Sequence, residues 1–335
     1  MSRMQTANFD RMLGSAIADI GMKCNYRHHL DGSEKKAIIV EGYTDEAFMN
    51  RIQKSDVLCY SIRRFLEARA KMLKCDSSKG IIFSLFQRLS NNPEFFGFPK
   101  GCGKWHIYGL VDRDYDDETL NLRMPRLFIT DTHDIETLIL STDHAVLSRI
   151  QGVTIDTEKV KSSLFISFQL ACYRKALYNL PDRNLEIDTR KICSPDGTIN
   201  YAAFVENDAV VPGKLIELLF SNKDTKISRE KLNRFTKGVM NDRHIKKYCD
   251  RNGEWKIKKE TFSPDQIDDF WLLVCGHDIL SAICFYDAAA NDMFRDTGGY
   301  KVNRQFEKAI IDYYDVAMFR KTDLYRSLKE ADLVG

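Results

Sequence analysis

The chain has 335 residues, 44% apolar and 29% charged, a balance ordinary for a soluble globular protein and a length that suits two domains. The formal net charge of +2 favours no class of partner, because patches of opposite sign can cancel. No apolar run reaches the roughly 18 residues of a membrane span. Nine scattered cysteines without a C-x-x-C pair argue for reduced thiols and against structural zinc.

The opening MSRMQTANFDRMLGSAIADIGM carries acidic residues and no signal-type hydrophobic core, so a cytoplasmic protein with no membrane partner is expected. Met4 to Met22 is amphipathic at helical spacing and reads as a packing or dimerising helix within an N-terminal segment, 1–34. Lys36–Val40 reads as a buried strand, left through Gly42, with Thr44 capping a helix whose first turn holds Asp45 and Glu46. Val57–Ile62 predicts a second strand and Arg63–Lys74 a second helix. Residues 76–104 mix the apolar run Ile81–Leu89 with Asn-Asn-Pro and a Gly-rich stretch, and read as an insertion or loop. Ile107–Val111 and Arg126–Thr130 complete a βαβ order that favours a parallel sheet. Beyond about residue 146 the periods are helical: Val160–Leu180, Gly213–Phe220, Arg229–Cys249, Pro264–Ala290 and Val302–Leu328. The fold expected is therefore an α/β domain over 35–145, its parallel sheet flanked by helices, followed by a mainly helical domain over 146–335.

Two acidic clusters stand out because each ends a strand. In KAIIVEGYTDE, Glu41 and Asp45 follow the first; in HIYGLVDRDYDD, Asp112 and Asp114 follow the third. Carboxylates there lie at the carboxyl edge of the sheet, where open α/β folds bind ligands. On extended backbone Asp112 and Asp114 would share a side. Clustered carboxylates repel unless a cation neutralises them, and an all-oxygen set suits Mg²⁺ or Mn²⁺.

The combination V-E-G-x-x-D and L-V-D-x-D, each after an apolar strand, resembles the Toprim domain of topoisomerases, primases and OLD-like nucleases, over roughly residues 35–142. A primase would carry a zinc ribbon and a topoisomerase a separate tyrosine domain, so the compact nucleases remain. Asp45, four after Glu41, is similar to the OLD-type pattern. The segments T-D-T-H-D-I-E (Thr130–Glu136) and W-L-L-V-C-G-H-D-I-L (Trp271–Leu280) resemble a standalone Toprim-related family that includes the effector nuclease of PARIS anti-phage defence systems.

The resemblance implies a metal-dependent endonuclease. Glu41 would bind metal or transfer protons, and Asp112 and Asp114 would hold the cation. Asp45 would add a ligand, or serve only as a favourable charge at its helix start. Glu136 could complete a second metal position, and two ions about 4 Å apart would stabilise the attacking and leaving oxygens. His133 and Asp134 sit in the acidic junction as supporting or merely loop-bonding residues. His277 and Asp278, polar in an apolar helix, read as structural, interfacial or catalytic support. The chain has no G-x-x-x-x-G-K-[ST] loop, so the resemblance implies a separate ATPase sensor that holds a toxic effector in check. By resemblance the substrate is transfer RNA, although nothing in the residues selects RNA over DNA.

A nucleic acid needs basic surface. Lys100, Lys104, Arg113 and Arg123 flank the aspartate pair. Residues 223–259 hold thirteen Lys/Arg, Lys246 and Lys247 among them, against five Asp/Glu, interleaved with Phe235, Tyr248 and Trp255. That stretch either follows a phosphate backbone or is a solvated helix pair. Apolar faces on the first and last helices suggest a homodimer. A non-catalytic assembly subunit holding a structural cation, or a Toprim DNA endonuclease, are the alternatives.

Overall fold

The structure, a computed structural model, describes residues 36–64, 78–91, 107–114, 124–180, 189–194, 198–220, 228–250, 254–294 and 302–335. In chain order β1 (Lys36–Val40), α1 (Tyr43–Ile52), β2 (Val57–Ser61), α2 (Ser78–Asn91), β3 (Ile107–Val111) and β4 (Leu127–Ile129) come first. Then follow α3 (Ile135–Thr142), α4 (Val146–Arg149), α5 (Thr157–Tyr178), α6 (Pro212–Phe220), α7 (Arg229–Met240) and α8 (Arg243–Tyr248). The last are α9 (Phe270–Leu273), α10 (Gly276–Tyr286), α11 (Ala288–Phe294), α12 (Val302–Tyr313), α13 (Val316–Phe319) and α14 (Asp323–Glu330). They form two compact units: residues up to Asp131 with Val316–Gly335, and Thr132–Asp315.

The first unit is built on a parallel sheet of order β2-β1-β3-β4. Five-residue strands this short stay in a sheet only when both faces are covered, and β1 is buried from Ala37 to Val40. Ala37, Ile39, Tyr60, Ile62, Ile107 and Val111 form one cluster with Ile81, Ile82, Leu85 and Phe86 of α2. A Cβ on Gly109 would stand 2.7 Å from both Phe86 and Leu127, so this glycine lets α2 lie close against β3. The chain's end returns to the same unit. Phe319 of α13 meets Phe48 of α1 edge-on at 5.2 Å, and Asp332 accepts from Lys36 (2.8 Å) and Lys54.

The second unit is helical, as the sequence periods indicate. α5 is buried on nearly all sides and packs against α10; its Phe168 lies among Tyr248, Trp255, Phe262 and Phe270. No helix among the described residues is long and apolar enough to cross a membrane.

Several expectations are corrected. The boundary between units falls at Asp131 and Asp315, not near residue 145, because α3 packs on α10 and α12 while the chain's last residues cover the sheet. Half of the expected insertion at 76–104 is the helix α2, an integral layer of the sheet unit; residues 92–106 lie outside the described set. Pro264–Ala290 is broken into a turn and three helices, and His277 and Asp278 open α10 instead of interrupting it. The apolar faces of the last helices are buried inside the chain through Phe306, Ile310, Leu324 and Leu328, which removes their support for a homodimer. Residues 1–34 and most of Arg63–Lys74 lie outside the described residues.

Candidate functional site

The strand order reverses between β1 and β3. The chain leaves β1 to add β2 on one side and later adds β3 on the other. At such a switch point the two following loops diverge and leave a crevice at the carboxyl ends. Glu41 is the residue after β1, and Asp112 the residue after β3. Val40 pairs with Leu110, so the two carboxylates leave adjacent strands at nearly the same height. The Asp112 backbone N–H donates to Glu41 Oε1 at 2.9 Å.

Asp45 stands at the start of α1. The cap residue is Gly42, not Thr44, and Asp45 Oδ2 accepts the Gly42 N–H at 2.7 Å. One oxygen of Asp45 thus closes the helix start. Asp114 is not in extended backbone; its φ of 50° lies in the left-handed region, which Asp tolerates better than most residues. The turn aims Asp114 at Lys79 of α2, whose Nζ donates to Asp114 Oδ2 (3.0 Å) and to the carbonyls of Asp112 (2.5 Å) and Arg113 (3.2 Å).

The electrostatics follow. Burial, then the charges of Asp45 and Asp114, push the Glu41 carboxyl up to about 8; the Asp112 N–H and Lys79 oppose this only in part. A half-buried carboxyl raised by desolvation and neighbouring carboxylates marks a pocket with excess negative charge, and its donors are hard oxygens. Such a set fits Mg²⁺ or Mn²⁺.

The other expected residues gather in the second unit. Asp134 caps α3, with Oδ1 accepting from Thr137 N (2.8 Å), while Oδ2 accepts the first N–H of α10, from Gly276, at 2.8 Å. His133 Nδ1 is 3.2 Å from the same oxygen. Burial would raise the Asp134 carboxyl, but His133, His277 and the Thr137 N–H together hold it well below its ordinary value. Glu136 (2% exposed) and Glu307 (6% exposed) flank His277, whose Nδ1 lies 2.8 Å from Glu307 and 4.0 Å from Glu136. Burial of the ring disfavours the imidazolium, although half of the side-chain surface is open. Glu307, Glu136 and Asp134 nevertheless outweigh that cost and hold His277 well above its ordinary value. Asp278 pairs with Arg174 of α5, and its carbonyl accepts from the Tyr201 hydroxyl at 2.9 Å. Gly276 makes the junction possible: a Cβ there would fall 2.3 Å from Glu136 Cβ and 2.7 Å from Asp134 Oδ1.

Two groups have ligand atoms all within 4.8 Å of one another among the described residues: His133–Asp134–Cys275 and Glu136–His277–Glu307. The sheet-edge carboxylates are not drawn together as tightly, Asp114 being held by Lys79 and Asp45 by Gly42. Glu136 therefore has His277 and Glu307 as its partners in its own unit, a pairing that the sequence does not reveal.

Of the basic candidates, Arg113 turns its guanidinium to the Thr130 carbonyl at 3.2 Å, and its backbone N–H to the Thr130 hydroxyl. Lys246 and Lys247 are exposed on α8, but Phe235 and Tyr248 are buried and Trp255 packs on Phe168 and Tyr173. Those aromatics belong to the core and offer no row of stacking faces. Lys100, Lys104 and Arg123 lie outside the described residues. Sequence reasoning missed Lys79 and Glu307. For Lys79 the signal was present, since Ile81, Ile82, Leu85 and Phe86 repeat at helical spacing behind it.

No protein-family model matches the chain, and no curated protein does.

Proposed function

We propose that the crevice between β1 and β3 is the divalent-cation site of a phosphodiester-cleaving endonuclease of the Toprim/OLD-like kind. By motif the chain resembles AriB, the effector of PARIS anti-phage defence. The observation that carries this reading is the meeting of Glu41 and Asp112 at the switch point of a parallel sheet, with Asp114 and Asp45 near enough to load Glu41 with negative charge. Glu41, Asp112 and Asp114 would hold the cation, with Asp45 as a further ligand. A divalent ion bound there polarises a phosphodiester and makes hydroxide accessible from water near neutral pH. Glu41, raised to about 8 in the ion-free pocket, keeps a proton at neutral pH and releases it when the pocket is neutralised.

On this reading the substrate is a nucleic acid, transfer RNA by resemblance, and a separate ATPase sensor controls a toxic effector in the cytoplasm. The test is cleavage of labelled transfer RNA, single-stranded DNA and duplex DNA with Mg²⁺ or Mn²⁺. It is run on the free chain and with its ATPase partner, beside Glu41→Ala. Metal-dependent cutting of RNA that the variant loses supports the reading. Cutting of DNA alone selects the Toprim DNA endonuclease, and no cutting in any condition sinks the catalytic reading. That last outcome would favour an assembly subunit, for which the buried acids Asp134, Glu136 and Glu307 around His277 provide support as a structural junction.

A further inference from the structure

We infer that Lys79 is a resident cation of the sheet-edge site, standing in the place of one of two divalent ions, so that the site takes a single Mg²⁺ or Mn²⁺. This rests on the reading of that edge as a cation site.

Three observations carry it. The Lys79 ammonium has three donors, and three oxygens receive them: the carbonyls of Asp112 and Arg113 and Asp114 Oδ2. An ammonium satisfied in this way is a fixed charge, not a surface side chain caught in one of many poses. Its helix is equally fixed, since Ile81, Ile82, Leu85 and Phe86 are buried in the sheet cluster and Gly109 admits Phe86 against β3. The lysine side chain is 10% exposed while Asp114 is 47% exposed, so the ammonium comes from the protein side and leaves the outer face of Asp114 open.

The fixed ammonium divides the work between two cations. The ammonium serves Asp114 and holds the Asp112–Asp114 turn in its left-handed form. A divalent ion would then be held by Glu41, Asp45, Asp112 and the outer oxygen of Asp114, which stand at the carboxyl ends of β1 and β3. A second divalent ion at Asp114 would stand against a positive charge already 3.0 Å from Oδ2. In phosphodiester cleavage Lys79 is therefore a positioning residue that also supplies positive charge.

The experiment counts Mn²⁺ bound at saturation to the full chain by electron paramagnetic resonance and calorimetry. Ions that survive in Glu41→Ala, including any held by Glu136, His277 and Glu307, are subtracted. Wild type and Lys79→Arg are expected to bind one Glu41-dependent ion. Lys79→Gln is expected to bind two, because loss of the ammonium frees Asp114 and removes the repulsion. A residue that merely pins the turn gives the opposite sign, with Lys79→Gln binding the ion more weakly or not at all. That result, an unchanged count, or two Glu41-dependent ions in wild type overturns the inference. Should Lys79→Gln fail to fold, Lys79→Met, which keeps the bulk of the stem, takes its place, and the wild-type count stands without any variant. No Glu41-dependent ion in wild type sinks the cation-site reading itself, a result distinct from a count of two.

Discussion

The two units hold carboxylates in opposite electrostatic states. At the sheet edge Glu41 is raised to about 8, because burial and two neighbouring carboxylates are only partly answered by Lys79 and one N–H. In the helical unit Asp134 is more deeply buried in chemical terms yet is held well below its ordinary value, with a histidine and the first N–H groups of α3 and α10 around it. Helix N-termini carry partial positive charge and stabilise an anion there. A buried acid that the chain itself satisfies acts as a staple. One that the chain leaves short of positive charge is poised for something from outside.

The largest expected difference is in activity. Glu41→Ala should reduce metal-dependent cleavage by at least about 100-fold, since even outer partners of metal ligands cost 10–100-fold. The same change should not lower the thermal midpoint in metal-free buffer at neutral pH, because it removes a carboxyl whose ionisation is costly in the folded state. A midpoint that collapses along with the activity would make Glu41 a staple like Asp134 and erase the contrast.

Asp134→Ala should do the reverse, destabilising the helical unit by about 3–5 kcal/mol, because it strands two helix ends and His133 around a missing anion. At roughly 2–4 °C per kcal/mol for a domain of this size, calorimetry should record a clear fall in the melting temperature. Gly276→Ala should cost about 1–3 kcal/mol by forcing Glu136 and α3 away from α10. An unchanged melting curve would mean that the junction relaxes freely and is no staple.

The pH dependence sharpens the same comparison. Glu41, raised in the folded state, favours folding fully below its ordinary value near 4.5, and that contribution is lost as pH rises to about 8. His277, also raised, contributes fully below 6.5 and loses its contribution as pH climbs through its folded value. Asp134, depressed, contributes at all pH above its ordinary 3.8 and fails only in acid. The melting temperature of the metal-free protein should therefore decline between pH 5 and 8, and Glu41→Gln should flatten the decline. Added Mn²⁺ should offset it in wild type and release close to one proton per ion at pH 7, measured by calorimetry in buffers of different ionisation enthalpy. Binding without proton release would remove Glu41 from the ligand set. The smallest effect expected is at α8: Lys246→Glu with Lys247→Glu should leave stability unchanged and lower the salt slope of nucleic-acid binding by about one per lost phosphate contact. An unaltered slope would make these lysines a solvated face only.

The strands were legible because a buried parallel strand is a short apolar run, and Lys36–Val40 and Ile107–Val111 have no competing reading. The position of Glu41 and Asp112 at their ends was legible for the same reason. The partnership of Asp134 with Gly276, 142 positions apart, was not, since nothing local marks which helix start a capping carboxylate will also serve. Nor was the helix α2, whose apolar spacing lay beside Asn-Asn-Pro and a Gly-rich stretch that reads as loop. By itself the sequence determined the parallel α/β core, the helical remainder and the acidic residues at the strand ends, because these follow from periodicity and chain direction. Only the tertiary structure decided which carboxylates are answered from within the chain, because that depends on which cation, histidine or N–H the packing brings to each buried oxygen.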